Sequence, residues 1–102
     1  KLGAKLLKSD LDFEKKLNLN IILKKIKKLG INYLLVEGGN KLTLSFVKNR
    51  LFNEFYLFKS NMKLGSKGKI DISKILRKLN YIFKYKKKIN TYLDKDELLN
   101  YY

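Results

Sequence analysis

Ile31-Asn32-Tyr33-Leu34-Leu35-Val36-Glu37-Gly38-Gly39-Asn40-Lys41-Leu42 is the stretch on which the reading of this chain turns. An apolar run meets a carboxylate, then two glycines, then residues with helical spacing. Ile31 to Val36 is apolar almost throughout, as expected of a strand covered on both faces. Gly38 and Gly39 turn the chain into a helix expected from about Asn40 to Arg50. A strand, a glycine turn and a helix N-terminus together form a cradle for phosphate. Glycines admit a ligand close to the backbone, and the unpaired N–H groups of the first helical turn point towards it. In an open α/β sheet, such a turn at the carboxyl end of a strand is where a nucleotide binds.

Working outward, Leu19, Ile22, Leu23, Ile26 and Leu29 fall at helical spacing, with Lys24, Lys25, Lys27 and Lys28 on the opposite face. Asn18 or Asn20 can cap this helix, and Gly30 ends it. Before it, Ala4 to Lys8 reads as a short strand. Ser9 to Lys16 reads as a polar connection carrying Asp10, Asp12 and Glu14. After the glycine turn, Phe55 to Phe58 reads as another buried strand. The β-α-β-α-β order predicts parallel strands joined by right-handed crossovers. Asn61 to Lys69 reads as a loop containing Gly65 and Gly68. Ile72, Ile75, Leu76, Leu79 and Phe83 predict a further helix, capped by Asp71. Ile89 to Leu93, a turn at Asp94 to Asp96, and Glu97 to Tyr102 read as a closing hairpin. A short terminal helix capped by Asp96 is the alternative. No repeat and no internal domain boundary is visible.

The 102 residues make one small domain or part of one, and a first residue Lys1 in place of methionine suggests a piece of a longer protein. The net charge of +15 invites a nucleic-acid reading. Yet twenty-two lysines stand beside only two arginines, and proteins that read phosphate or bases favour arginine's bidentate fork. The excess of lysine, asparagine and isoleucine, without proline, matches the compositional drift of an AT-rich genome. Histidine and cysteine are both absent, which excludes disulfides and removes the commonest zinc ligands and nucleophiles. No segment has the length and apolarity of a membrane span or the pattern of a signal peptide, so a soluble, cytoplasmic protein is expected.

Several stretches resemble one family. They are Gly30-Ile31, Leu34 to Gly39, Leu42 with Phe46, Leu51-Phe52-Asn53-Glu54 leading into Phe55 to Phe58, and Lys63-Leu64-Gly65. Together they are similar to the C-terminal reductase domain of the bifunctional riboflavin-biosynthesis deaminase-reductase, best between about Asn18 and Gly65. The resemblance implies a dihydrofolate-reductase-like α/β fold with a mainly parallel sheet, flanking helices and an antiparallel C-terminal hairpin. The chain would be the C-terminal half of that domain. It also implies NADPH-dependent reduction of the ribosyl side chain of a 5-amino-6-(5-phosphoribosylamino)uracil-type intermediate to ribityl, and a homodimer. The fragment is expected to be inactive alone, because the first half of the domain would carry much of the substrate site. The family's zinc deaminase module has no ligands in this chain.

Gly38 and Gly39 are then expected to hold the cofactor pyrophosphate on the N–H groups of residues 39 to 42, with Asn40, Lys41 and Leu42 alongside. The bland reading is a turn with no ligand. Glu37 ends an apolar strand, a costly place for a carboxylate unless it is paired or faces a cleft. The resemblance puts it near the reacting ribose in a positioning role; capping the next helix is the competing role. Asn53-Glu54 stands where the family often has Asp-Glu, and Glu54 is expected to support local structure. Gly65 and Ser66 match a glycine-containing loop that could close over the site, where Asn61 or Met62 replaces the usual proline. Lys84 to Lys88, with Tyr81 and Tyr85, is the best nucleic-acid candidate, but a charged helix end is preferred. A small basic polyanion-binding module is the rival to the reductase, and another reductase of the same fold is a third reading. Nucleic acid is not expected as a partner. The tyrosines and phenylalanines are expected mostly in the core.

Overall fold

The computed structural model describes residues 3–62, 65, 68, 71–92 and 95–102. The chain forms two compact units, Lys1–Glu37 and Gly38–Tyr102.

In the first unit, helix α1 (Leu19–Lys28) starts where its cap is. Asn18 takes extended backbone and its side chain accepts the Ile21 N–H at 3.3 Å. The helix stops where a left-handed residue is available. Gly30 has φ +81° and its N–H donates to the Lys27 carbonyl, as glycine does beyond a helix end. Upstream, Asp12 folds the polar connection on itself: its Oδ1 accepts the Glu14 and Lys16 N–H groups at 2.9 and 2.8 Å. Lys25 Nζ donates to the Lys8 carbonyl at 2.8 Å. Two expected strands are not formed here. Ala4–Lys8 and Ile31–Val36 lie outside any strand, with Leu6 97% and Tyr33 95% exposed. An apolar run encodes a preference for burial. A strand also needs a neighbour for its N–H and C=O groups, and no described residue pairs with either segment.

The second unit holds α2 (Asn40–Asn49), β1 (Phe55–Lys59), α3 (Ser73–Ile82), β2 (Lys86–Ile89) and β3 (Glu97–Tyr101). The sheet order is β1-β3-β2, with both pairings antiparallel. This corrects the mainly parallel sheet. Without the two upstream strands, β1 finds its partner in the chain's last strand. Part of the β-α-β pattern survives: β1 and β2 are each antiparallel to β3, so they run in the same direction on either side of it, connected through α3. The C-terminal hairpin forms and the terminal helix capped by Asp96 does not. Leu93 and Asp94, in its connection, lie outside the described residues. The β2 strand begins at Lys86, so the lysine run is strand and not a helix end.

Register decides what is buried. Phe55, Leu57, Leu99 and Tyr101 fall on one face of the sheet and pack with Val47 of α2 and Ile75 and Leu79 of α3. Leu79 is fully buried and Val47 only 1% exposed. The rings of Phe52, Phe55, Phe83 and Tyr101 meet in tilted and edge-on pairs with centroids 5.4–6.4 Å apart. On the other face Tyr56 and Phe58 point outward, so β1 is half-buried and not covered on both faces. Tyr33, Tyr81, Tyr85, Tyr92 and Phe13 are exposed too, so fewer aromatics are core than their number suggested.

At the head of α3, Asp71 does the capping work from one residue outside the N-cap position. Its carboxylate accepts the Ser73 N–H and the Ser73 hydroxyl, both at 2.8 Å. The backbone bond, then the hydroxyl bond, lower the Asp71 pKa below its ordinary value. Glu97 is lowered in the same sense by Lys88, whose ammonium lies 2.7 Å away across β2 and β3. Groups lowered on folding stabilise above their unfolded pKa of about 4, and that contribution is lost as pH falls through the folded value. Urea titrations should therefore show stability falling below about pH 4, and Asp71→Asn should flatten that decline. Leu79→Ala should cost about 2–5 kcal/mol by the same measurement.

Candidate functional site

Helix α2 starts unlike the other two. Gly39 is its N-cap, at φ −71° and ψ 175°, and offers no side chain to the first turn. Its first turn, like those of α1 and α3, holds no acidic residue, and it carries Lys41. A helix N-terminus is the positive end of the macrodipole, where a lysine is unfavourable and an anion is stabilised. Asn18 at α1 and Asp71 at α3 supply carboxamide or carboxylate oxygens in the corresponding places. The first-turn N–H groups of α2 are left available. Local bonds fix the turn from the other side: the Gly39 carbonyl accepts Thr43 N–H at 3.1 Å, and Thr43 Oγ1 donates to the Gly38 carbonyl at 3.4 Å.

The two glycines serve different ends. A Cβ at Gly38 would lie 2.8 Å from Leu42 Cδ2 and 3.2 Å from Leu42 Cβ, so this position is glycine because Leu42 packs on it. A Cβ at Gly39 would meet nothing within 4 Å, and its φ suits any residue. The open space is therefore at Gly39, immediately before the free N–H groups. Ligand approach was expected at both glycines; Gly38 lines the neighbouring cavity, and Gly39 is the one with open space where a Cβ would stand.

Asn40 is half-buried, and its Oδ1 is enclosed without a hydrogen-bond partner. Lys41 is exposed, and Leu42 is 37% exposed. Beside this turn lies a cavity of about 250 Å³. Gly38, Asn40 and Thr43 line its polar part; Phe55 and Leu57 of β1 and Ile72, Ile75 and Leu76 at the start of α3 form its apolar walls. None of these last five, nor Thr43, was singled out as a site residue from sequence. Their apolar spacing marked them as core, and only the antiparallel sheet brings β1 beside the head of α3. Thr43 alone had a local signal, being four residues beyond the capping glycine.

Glu37 is exposed and belongs to the first unit. Gly65 sits in a turn of its own, at φ +54° with its carbonyl accepting Gly68 N–H, and does not line the cavity. Lys63, Leu64 and Ser66 lie outside the described residues. Glu54 has the structural role expected of it: its carboxylate accepts the Tyr56 hydroxyl at 2.7 Å and Asn100 Nδ2 at 3.4 Å. The first of these bonds raises the Tyr56 pKa above that of an ordinary phenol. Among the described residues no cluster of acidic side chains could hold a metal ion, and no helix is long and apolar enough to cross a membrane.

An uncapped helix start beside a mostly apolar cavity, in a small α/β unit, defines the candidate site. Comparison with protein-family models makes the class specific: residues 4–91 match the RibD C-terminal domain. The chain belongs to this family, the reductase domain of riboflavin biosynthesis. The match runs well beyond the Asn18–Gly65 stretch that carried the resemblance. Neither the curated proteins nor the solved structures gave a match.

The unequal duties of the glycines can be measured by thermal and urea unfolding. Gly38→Ala should destabilise by about 1–3 kcal/mol through overpacking against Leu42. Gly39→Ser should hold or raise stability by about 0.5 kcal/mol, since it supplies the missing N-cap oxygen.

Proposed function

We propose that this chain supplies the cofactor-binding half of an NADPH-dependent pyrimidine reductase in riboflavin synthesis. The observation that carries the proposal is the uncapped, acid-free start of α2 behind the open Gly39, in a chain of the reductase family. The residues suit the cofactor: the N–H groups following Gly39 would take the pyrophosphate charge, and Lys41 would add a cation beside them. A Cβ at Gly39 would project into the space the phosphate needs. NADPH, when bound, would supply a hydride to the carbon of the C=N bond in the ring-opened form of a 5-amino-6-(5-phosphoribosylamino)uracil-type substrate, with a proton from water going to the nitrogen, giving the ribityl product. The protein contributes orientation and charge placement in place of a nucleophile. Glu37, immediately ahead of the turn in sequence, positions groups near the ribose by hydrogen bonding.

The surface supports a role within a larger assembly. Phe13, Tyr33, Leu35 and Phe58 are each at least two-thirds exposed, more large apolar side chains than a free-standing domain leaves in water. We read the chain as the C-terminal half of a dihydrofolate-reductase-like domain, functioning in the cytoplasm as a homodimer and dependent for activity on the other half.

Gly39→Val tests the phosphate assignment. Open space at that position limits the loss of stability to about 1 kcal/mol from the poorer N-cap, while NADPH affinity by calorimetry should fall at least about tenfold. An unchanged affinity would place the pyrophosphate elsewhere. Repeating the titration at rising salt separates the rival basic module, whose affinity would collapse log-linearly with salt concentration.

A further inference from the structure

We propose that the corner of the sheet where β2 meets the end of β3 binds single-stranded nucleic acid, its bases stacking on Tyr85 and Tyr102 and its phosphates lying against Lys84, Lys86 and Lys87. Strand pairing puts these groups together. Lys86 to Ile89 face Tyr101 to Leu98 in register, and the Tyr102 N–H donates to the Tyr85 carbonyl at 3.2 Å, which carries the ladder one pair further. Successive strand residues alternate between faces, so Tyr85, Lys87 and Tyr102 lie on the face opposite the core residues Leu99 and Tyr101. There the two tyrosine rings stack, with centroids 5.9 Å apart and planes at 20°, and they are 64% and 49% exposed. Tyr56 adds an exposed ring on the same face, diagonal to Tyr102 across β1 and β3. The Glu54 carboxylate also reaches this face, where the Tyr56 hydroxyl and the Asn100 amide take it up.

Lysine supplies the charge. Lys84, Lys86 and Lys87 are exposed, and among the described residues Lys88 alone in this run has a carboxylate partner, Glu97. Lys86 is held at the rim by the Tyr101 ring, its ammonium 5.5 Å from the centroid. The charged helix end that would explain such a run is absent, because the run is strand. Protection of an exposed sheet edge explains the lysines, but not two large rings left stacked in water beside them. Scarce arginine argues against the reading of base edges, which uses its bidentate fork. Sequence-independent binding of a single strand needs only positive charge along the backbone and aromatic faces for the bases. A duplex keeps its bases stacked on one another and offers these rings none. Lysines without carboxylate partners also favour a polyanion over a second copy of the chain, which would bring like charges together.

Fluorescence anisotropy of labelled oligothymidylate with the 102-residue chain tests this, with duplex DNA of the same length, inorganic polyphosphate and anionic lipid vesicles for comparison. Oligothymidylate should bind more tightly than duplex or polyphosphate. Tyr85→Ala and Tyr102→Ala should each weaken it at least about fivefold, while Tyr85→Phe, which keeps the ring, should bind as the parent does. Replacing Lys84, Lys86 and Lys87 together by glutamine should make the slope of log affinity against log salt shallower by about 2. The same loss of charge at Lys24, Lys27 and Lys28 of α1 should matter less. Gly39→Val should change nothing, since this surface works independently of the glycine turn. If an alanine variant fails to fold, NMR of the parent chain decides: the ring signals of Tyr85 and Tyr102 should shift with oligothymidylate. Equal affinity for polyphosphate, indifference to Tyr85→Ala, or equal losses from the two lysine replacements would overturn the proposal. So would vesicle binding without oligothymidylate binding, which would make the corner a lipid-facing surface. A dimer that Tyr85→Ala dissociates, with no oligothymidylate bound, would give the corner to a second copy instead.

Discussion

Everything ordered about the second unit depends on β3 being paired along both edges. It is the last strand in sequence and the middle strand in space, matching Phe55–Lys59 residue for residue on one side and Lys86–Ile89 on the other. Without it, β1 and β2 have no partner, and a lone strand or helix pair of this length does not hold its shape in water. The same strand brings Leu99 and Tyr101 under Val47, Ile75 and Leu79, so hydrogen bonding and burial are set by one segment. The family match ends at residue 91, before β3 begins. Within the second unit, the strands that fall inside the family match are therefore paired to a strand outside it.

The local features of this fold were legible in sequence, and the non-local ones were not. Asn18, Gly30, the Gly38-Gly39 turn and Asp71 each act within a few residues of themselves, so a cap or a left-handed stop can be read directly. Both ends of α1 and the start of α2 follow from them. Strand pairing is different in kind. Ile31–Val36 and Phe55–Lys59 look alike as apolar runs, yet only the second lies opposite residues able to complete its ladder. Periodicity shows which residues avoid water and says nothing about which neighbour is present. The lysine-rich stretch was misread for the opposite reason: Lys86–Lys88 lacks apolar alternation, and its strand is imposed by β3 and by the Lys88–Glu97 pair.

The candidate site divides along the same line. Gly38 to Leu42 was visible because a turn and a helix start are contiguous. The cavity was not, because its walls come from β1 and from the head of α3 and meet through tertiary packing. Gly65 came from the resemblance alone, and it is not among the residues that line the cavity.

The glycine pair shows why a motif needs its geometry before it means anything. Two adjacent identical residues invite one explanation, but a missing side chain has two uses. At Gly38 it makes room for the protein itself, since Leu42 occupies the space a Cβ would take. At Gly39 the space is empty and the backbone is unstrained, so neither packing nor φ demands glycine. The fold would be better served there by serine or aspartate, which would cap the turn. Such a residue would also occupy the N–H groups that an incoming anion needs. A helix start left uncapped and beside a lysine is a small sacrifice of stability. In the function proposed above, the cofactor's charge completes what the side chains leave open.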